Sequence, residues 1–182
     1  LLAEEGVSIR AVKRVYREIS GDDTEYTPKD IFEIAEGERE GDRDAAIVSF
    51  ERLGEVAGFA ISESLNIVDG IVVVGGGISK ASKYILPSMI REMNSVRKNT
   101  AGDIFPRMQM KAYNLEDEKE RLLFMKDDSK TVTIPESNKT VVYHQTKKVG
   151  VMTTRLGTSK AIAIGAYNFA KNQLNINSAE NR

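Results

Sequence analysis

The clearest indication of fold class lies in IVDGIVVVGGGISKASKYILP, residues 67–87. The apolar run 71–74 is typical of a buried parallel strand, and it leads directly into Gly75, Gly76 and Gly77. Residues that favour a helix follow at once. A chain that leaves such a strand for a crossover helix must turn sharply, and glycine reaches positive φ without steric cost. This stretch therefore predicts a strand–turn–helix unit of an α/β fold.

Three glycines are more than such a turn usually needs. Without side chains there, a ligand could approach the carboxyl end of the strand, where open α/β sheets bind ligands. Residue 80 is lysine, so the stretch does not fit G-x-G-x-x-G, and it also lacks the G-x-x-x-x-G-K-[ST] pattern of a P-loop. A nucleotide site and a purely structural turn both remain open.

Length and composition narrow the class of protein. With 182 residues, 41% of them hydrophobic, the chain suits one domain or one lobe of a larger protein. The net charge of -1 argues against a nucleic-acid partner, and the absence of cysteine excludes disulfides and thiolate sites. No signal peptide and no apolar run of about 18 residues is present, which predicts a cytoplasmic protein without a membrane partner. The first residue is leucine, as expected of a segment cut from a longer polypeptide or of a chain that has lost a leader.

Helical patterns dominate the first 65 residues. Ser8 is the predicted N-cap of one helix, and Thr27 that of a second, with Pro28 as its first residue and Asp30 as its third. A third and longest helix begins after residues 41–42. Four small residues on this long helix predict the close approach of a neighbouring element: Gly54, Ala57, Gly58 and Ala60.

The second half alternates helical and β-rich patterns. A helix is predicted for about 80–98, with a break and second start at Pro87, and the charged run 116–121 is predicted to be a solvated face. Strands are predicted for residues 108–114, 131–134, 140–145 and 149–153. Gly157 begins a last helix, and a polar tail, 173–182, is expected to fray.

No internal repeat or linker divides the chain, so residues 1–182 are predicted to form a single α/β lobe with a β-hairpin insertion at about 114–148. Alternation in the insertion predicts one apolar face, made of Val132, Ile134, Val141 and Tyr143. A two-stranded hairpin is marginal alone, so we expect the lobe or a partner subunit to cover this face.

Three segments together resemble the C-terminal part of the ROK family, which comprises bacterial sugar kinases such as glucokinase and related repressors. They are GDRDAAIVSFERLGEVAGFAISESLNIVDGIVVVGGGIS, YILPSMIREM and RLGTSKAIAIGAYNFA, residues 41–79, 84–93 and 155–170. In that family a Gly-Asp opens the long helix, an apolar strand delivers the Gly-Gly-Gly of the adenosine motif, and Leu-Gly with a later Ile-Gly-Ala marks the closing helix. The insertion departs from the commoner family pattern.

The resemblance implies the C-terminal lobe of the actin-like ATPase, ribonuclease H-like superfamily, in which ATP lies between two lobes. It implies that Gly75, Gly76 and Gly77 leave room for adenosine, while the amides near Ile78 and Ser79 direct a modest positive dipole toward the phosphates of ATP. Mg²⁺ is expected to bind with the ATP through the upstream part of the protein. These five residues are the expected cofactor-binding residues.

The family resemblance assigns substrate binding to one residue of this chain. Glu4, with Ser8 four residues later, matches the glutamate that hydrogen-bonds sugar hydroxyls in many members of the family. An exposed acid beside a helix N-cap remains an equal alternative, and Glu5 competes for the role. His144, with no second histidine and no nearby carboxylate cluster, is predicted to be an ordinary surface residue.

The expected function is that of the nucleotide-binding lobe of an ATP-dependent sugar kinase that phosphorylates a hexose or an amino sugar. The family's catalytic and metal-binding motifs lie upstream, so this segment alone is expected to be inactive, and no catalytic or metal ligand is assigned within it. A homo-oligomer is expected, because family members are often dimers or tetramers. The alternatives are a sugar-responsive repressor and a non-enzymatic interaction module.

Overall fold

The computed structural model describes residues 3–180, and of residue 158 and residues 175–180 it describes the backbone alone. The helices are α1 (Ala3–Gly6), α2 (Ile9–Ser20), α3 (Pro28–Glu36), α4 (Arg43–Leu65), α5 (Ser82–Met93), α6 (Glu118–Met125) and α7 (Thr158–Glu180), with a 3₁₀ turn at Gly77–Ala81. The strands are β1 (Val72–Val74), β2 (Val96–Lys98), β3 (Ile104–Pro106), β4 (Lys111–Asn114), β5 (Ser129–Thr133), β6 (Thr140–His144) and β7 (Lys148–Thr153).

A parallel sheet forms the centre of this mixed α/β fold. Its order is β1-β7-β4, so β7 is paired on both sides and its Val149 and Val151 are almost fully buried. The predicted strand 108–114 is shorter, because it begins only at Lys111. β1 lies at the edge of the described sheet, and its Val73 is 58% exposed. The strand that was predicted to be buried is therefore covered on one face only by the described residues, because Val72 and Val74 pack against the core.

Local capping rules account for the start of each long N-terminal helix. Ser8 Oγ accepts a hydrogen bond from the Ala11 amide at 3.2 Å, as predicted. Thr27 and Asp30 form a reciprocal capping box at the start of α3, with Pro28 as its first residue. These predictions are confirmed. Capping depends on residues only three apart in sequence, so the sequence alone was enough to predict it.

The largest interface of the lobe joins α4 to α5. A Cβ atom placed on Gly54 would lie 2.4 Å from the Ile85 carbonyl oxygen, and one on Gly58 would lie 2.6 Å from that of Met89. The two backbones are thus in direct contact, as predicted from the small residues of α4. Ala57 is also buried, whereas Ala60 is only half-buried.

Pro87 lies inside α5 and does not break it, contrary to prediction. A proline in a helix leaves the carbonyl four residues earlier without its usual amide donor. Packing outweighs this loss, because Ile85, Leu86 and Met89 on either side of the proline are nearly fully buried. The helix ends at Met93, not near residue 98, because Val96–Lys98 pairs with Ile104–Pro106 as an antiparallel ribbon.

The insertion contains a helix and a hairpin. Residues 118–121 of the charged run and residues 122–125, which the sequence left unassigned, form α6. Its N-cap Asp117 accepts a hydrogen bond from the Glu120 amide at 2.9 Å. β5 and β6 form the predicted antiparallel hairpin, and the pairing of Val132 with Val141 places the predicted apolar residues on one face. These side chains remain 38–47% exposed, so the expectation that the lobe covers them is wrong for the described residues.

Helix α7 continues through the predicted polar tail to Glu180, and residues 181–182 lie outside the described part of the chain. No glycine or proline interrupts residues 166–180, so no local residue stops the helix. Its Ile162, Tyr167 and Phe169 are each at least 66% exposed. No helix within the described residues is long and apolar enough to cross a membrane.

The contact between α4 and α5 generates a prediction. Replacing Gly54 with alanine forces a methyl group against the Ile85 carbonyl, so we expect the free energy of unfolding to fall by about 1–3 kcal/mol. Gly165→Ala is the matched control, because it also lies in a helix but has nothing within 4 Å of a new Cβ atom. That control should be neutral or slightly stabilising. Denaturant unfolding measures both variants, and equal effects would contradict the packing argument.

Candidate functional site

A cavity of 590 Å³ opens at the carboxyl end of β1, beside the glycine turn. Three further parts of the chain complete its wall: the residues around the start of α2, the start of α3 and the N-terminal half of α4. Its lining residues are Val7, Ser8, Ile9, Thr27, Pro28, Lys29, Phe32, Phe50, Gly75, Gly76, Gly77, Ile78, Lys80 and Ala81. The turn therefore borders a concave space built from elements far apart in sequence.

The three glycines of the turn differ in whether the backbone structure requires glycine at their position. A Cβ atom on Gly75 would lie 3.2 Å from Thr154 Cγ2, so this glycine allows a close approach to the end of β7. Gly76 has φ 103°, a backbone conformation that other residues rarely adopt. Gly77 has neither constraint: its φ is not in the positive region, and no heavy atom lies within 4 Å of a Cβ atom built there. Of the three, Gly77 alone has no structural need for glycine that the described residues reveal.

The wall opposite the turn is aromatic and apolar. Phe32 packs edge-on against Phe50 with ring centroids 6.3 Å apart, and Phe50 stacks on Tyr84 at the same separation. Phe50 is 1% exposed, whereas Phe32 is half-buried and lines the cavity. The Tyr84 hydroxyl donates to the Ala35 carbonyl at 3.0 Å, which fixes α5 against α3. These contacts hold a rigid aromatic surface on which a planar ring could pack.

The start of α3 is held by charge as well as by capping. Hydrogen bonds from the Thr27 amide and hydroxyl lower the pKa of the Asp30 carboxyl, and Arg39 also pairs with it. The carboxylate is thus ionised at neutral pH and fixes the position of Thr27 at the cavity wall. This part of the wall is pre-organised without a ligand.

Two lysines border the cavity. Lys29 lies 3.3 Å from the Glu33 carboxylate, while Lys80 has no ion-pair partner among the residues that the structure describes. Both side chains are exposed, and they place positive charge at the rim of an otherwise apolar space. An apolar cavity with a cationic rim suits a ligand that has a flat apolar part and an anionic part.

The structure brings together four of the five residues predicted to bind the cofactor, because Gly75, Gly76, Gly77 and Ile78 all line the cavity. Ser79 does not line it. Its amide and its hydroxyl both donate to the Gly76 carbonyl, at 3.2 Å and 2.6 Å. Ser79 therefore closes the turn, and its contact with any ligand stays a prediction.

Glu4 lies on α1 outside the cavity lining. Its carboxylate is 4.0 Å from the Arg10 guanidinium, and both side chains are more than 80% exposed. Ser8, four residues later, does reach the cavity wall while it caps α2. The role of Glu4 in sugar binding stays a prediction.

Sequence reasoning missed the start of α3 and Phe32 as parts of the cavity. The proximity of α3 to a turn more than 40 residues away depends on tertiary packing, so no local pattern could reveal it.

Sequence reasoning also missed the surroundings of His144, whose Nδ1 lies 3.3 Å from Asp128 Oδ1 and 3.9 Å from Asp127 Oδ1. The statement that no carboxylates lie near His144 is therefore wrong, and pairing of the hairpin strands was the signal that could have found them.

Comparison with solved structures places the fold in a known context. The structure is similar to the crystal structure of glucokinase from Parabacteroides distasonis, with a TM-score of 0.81 and 48% sequence identity. The match covers 93% of this chain and 46% of the glucokinase chain, so this chain spans less than half of that protein's length. It has a sugar-kinase-like fold, and the likeness supports a relationship to a sugar kinase. No family model and no curated protein matches the chain.

Proposed function

We propose that this chain is the nucleotide-binding, C-terminal lobe of an ATP-dependent sugar kinase of the ROK type, with the fold of the actin-like ATPase, ribonuclease H-like superfamily. The observation that carries the proposal is the cavity at the carboxyl end of β1, because Gly77 opens it on one side and Phe32 bounds it on another. The 48% identity to a glucokinase supports the same assignment.

The cavity suits a nucleoside in size and chemistry. Its 590 Å³ falls within the range of about 300–1,000 Å³ usual for small-molecule sites. In the proposed complex the adenine of ATP packs between Gly77 and the aromatic wall at Phe32, and the phosphates extend toward the positive charge of Lys80. Mg²⁺ binds with the phosphates, and we assign it no ligand from this chain.

Catalysis belongs to a longer protein in this proposal. The chain corresponds to 46% of the glucokinase length, and the exposed apolar residues of α7 and of β1 form surfaces suited to packing against a second lobe. That lobe supplies the groups that position and activate the sugar hydroxyl, while Glu4 contributes to sugar binding only in the closed assembly. Phosphoryl transfer depends on such positioning, so one lobe is insufficient.

The proposal predicts that the isolated 182-residue chain does not phosphorylate hexoses or amino sugars. The whole protein should do so, with ATP as the donor. Sugar-dependent ADP production by purified samples measures both. Activity of the isolated chain above a vector-only preparation would contradict the proposal, and a whole protein that binds sugar without turnover would favour the repressor.

Nucleotide binding by the whole protein provides a second prediction. Gly77→Val projects a branched side chain into the cavity without backbone strain, so we expect the Kd for ATP to rise at least about tenfold, or roughly 1.4 kcal/mol. The melting temperature should change by no more than about 2 °C, equivalent to roughly 0.5–1 kcal/mol. Titration calorimetry and thermal unfolding measure the two quantities.

Gly70→Val is the matched control, because Gly70 also has open space and ordinary φ but lies outside the cavity. It should leave the Kd within about twofold of the parent. Gly76 is unsuitable as the test position, since valine at φ 103° strains the backbone whether or not a ligand binds. An unchanged Kd in Gly77→Val would favour the purely structural turn.

We also propose that the whole protein is a homo-oligomer in which the apolar face of the hairpin contacts a partner subunit. The half-exposed Val132, Val141 and Tyr143 on one face of β5 and β6 support this. Replacing residues 129–146 with a short Gly-Ser linker should lower the mass measured by light scattering and leave the Kd for ATP within about threefold, or about 0.65 kcal/mol. A selective loss of ATP affinity would instead place the hairpin in the active site.

A further inference from the structure

The base of the hairpin brings one imidazole and two carboxylates together. Asp127 and Asp128 directly precede β5, and His144 is the last residue of β6, where it pairs with Ser129. One possible ligand atom from each of the three side chains lies within 4.8 Å of the other two. The strand pairing therefore converts two distant sequence positions into a compact group of metal-binding side chains.

One distance within the group already fits a small divalent ion. Bonds of about 2.0–2.2 Å in a tetrahedral site separate neighbouring ligand atoms by roughly 3.3–3.6 Å. His144 Nδ1 lies 3.3 Å from Asp128 Oδ1 and 3.9 Å from Asp127 Oδ1. The 3.9 Å distance must shorten when the ion binds, and the two side chains that it joins are 66% and 76% exposed. Three protein ligands leave a fourth position for water.

Lys148 is the nearest competing cation. Its Nζ lies 3.6 Å from Asp128 Oδ2, while it donates to the Lys126 carbonyl at 2.7 Å. This contact uses the carboxylate oxygen that faces away from the short His144 contact, so Oδ1 stays directed toward the imidazole. Lys148 thus orients Asp128 and leaves one oxygen for a metal ion.

The ligand set also selects among ions. Ca²⁺ and Mg²⁺ prefer sites made of oxygen atoms alone, whereas imidazole suits zinc, nickel and copper. We propose that Asp127, Asp128 and His144 bind one divalent transition-metal ion of the zinc class at the base of the hairpin. The ion links the residues before β5 to the end of β6. It stabilises a hairpin that has no extensive contact with other described elements.

Hydrogen exchange in the whole protein, prepared without a histidine tag, tests the proposal with Zn²⁺ as the probe. We expect Zn²⁺ to slow exchange of the β5 and β6 amides, and calorimetry to show a site with a Kd below about 100 μM. His144→Gln should raise that Kd at least about tenfold and abolish the protection. The His144 side chain is 66% exposed, so this variant should fold normally.

Two further variants complete the design. Asp127→Asn removes a second ligand and should also abolish the protection, which guards against an effect peculiar to residue 144. Glu136→Gln is the matched control, because Glu136 lies in the hairpin loop outside the group and should leave both the Kd and the protection unchanged. Metal bound elsewhere in the whole protein does not affect the hydrogen-exchange readout, because the protected amides are those of the hairpin. Absence of protection at 100 μM Zn²⁺, or equal protection in His144→Gln, would overturn the proposal.

Discussion

Direct backbone contact between α4 and α5 is the constraint on which the lobe depends. Gly54 and Gly58 leave no room for side chains between α4 and the carbonyl groups of α5. This contact fixes α5 over the sheet, and α5 in turn fixes the 3₁₀ turn that precedes it. Tyr84 then ties α5 to the end of α3. The glycine turn and the start of α3 both border the cavity. Their positions depend on the backbone contact between α4 and α5.

The glycine turn shows how one short motif satisfies several constraints at once. Gly75 permits close contact with Thr154, Gly76 adopts positive φ, and Gly77 leaves open space beside the cavity. The structural and ligand-binding explanations are therefore not exclusive alternatives for the motif as a whole. They apply to different residues within it, and a substitution is informative only where a single explanation applies.

The apolar surfaces that the lobe leaves exposed are consistent with its coverage of less than half of the glucokinase chain. The outer face of β1, one side of the hairpin and the apolar residues of α7 lack cover from the described residues. Exposed apolar patches of this kind are typical of surfaces that contact another protein segment or subunit.

The sequence by itself determined the features that depend on near neighbours. Helix caps at Ser8 and Thr27, the strand–turn–helix order around Gly76 and the shared apolar face of the hairpin all follow from residues a few positions apart. Tertiary structure decided whether Pro87 ends its helix, which side of the cavity Phe32 occupies and which carboxylates meet His144. Those outcomes depend on packing between residues 16 or more positions apart, or on burial energies that outweigh local preference. No periodicity or motif in one sequence contains that information.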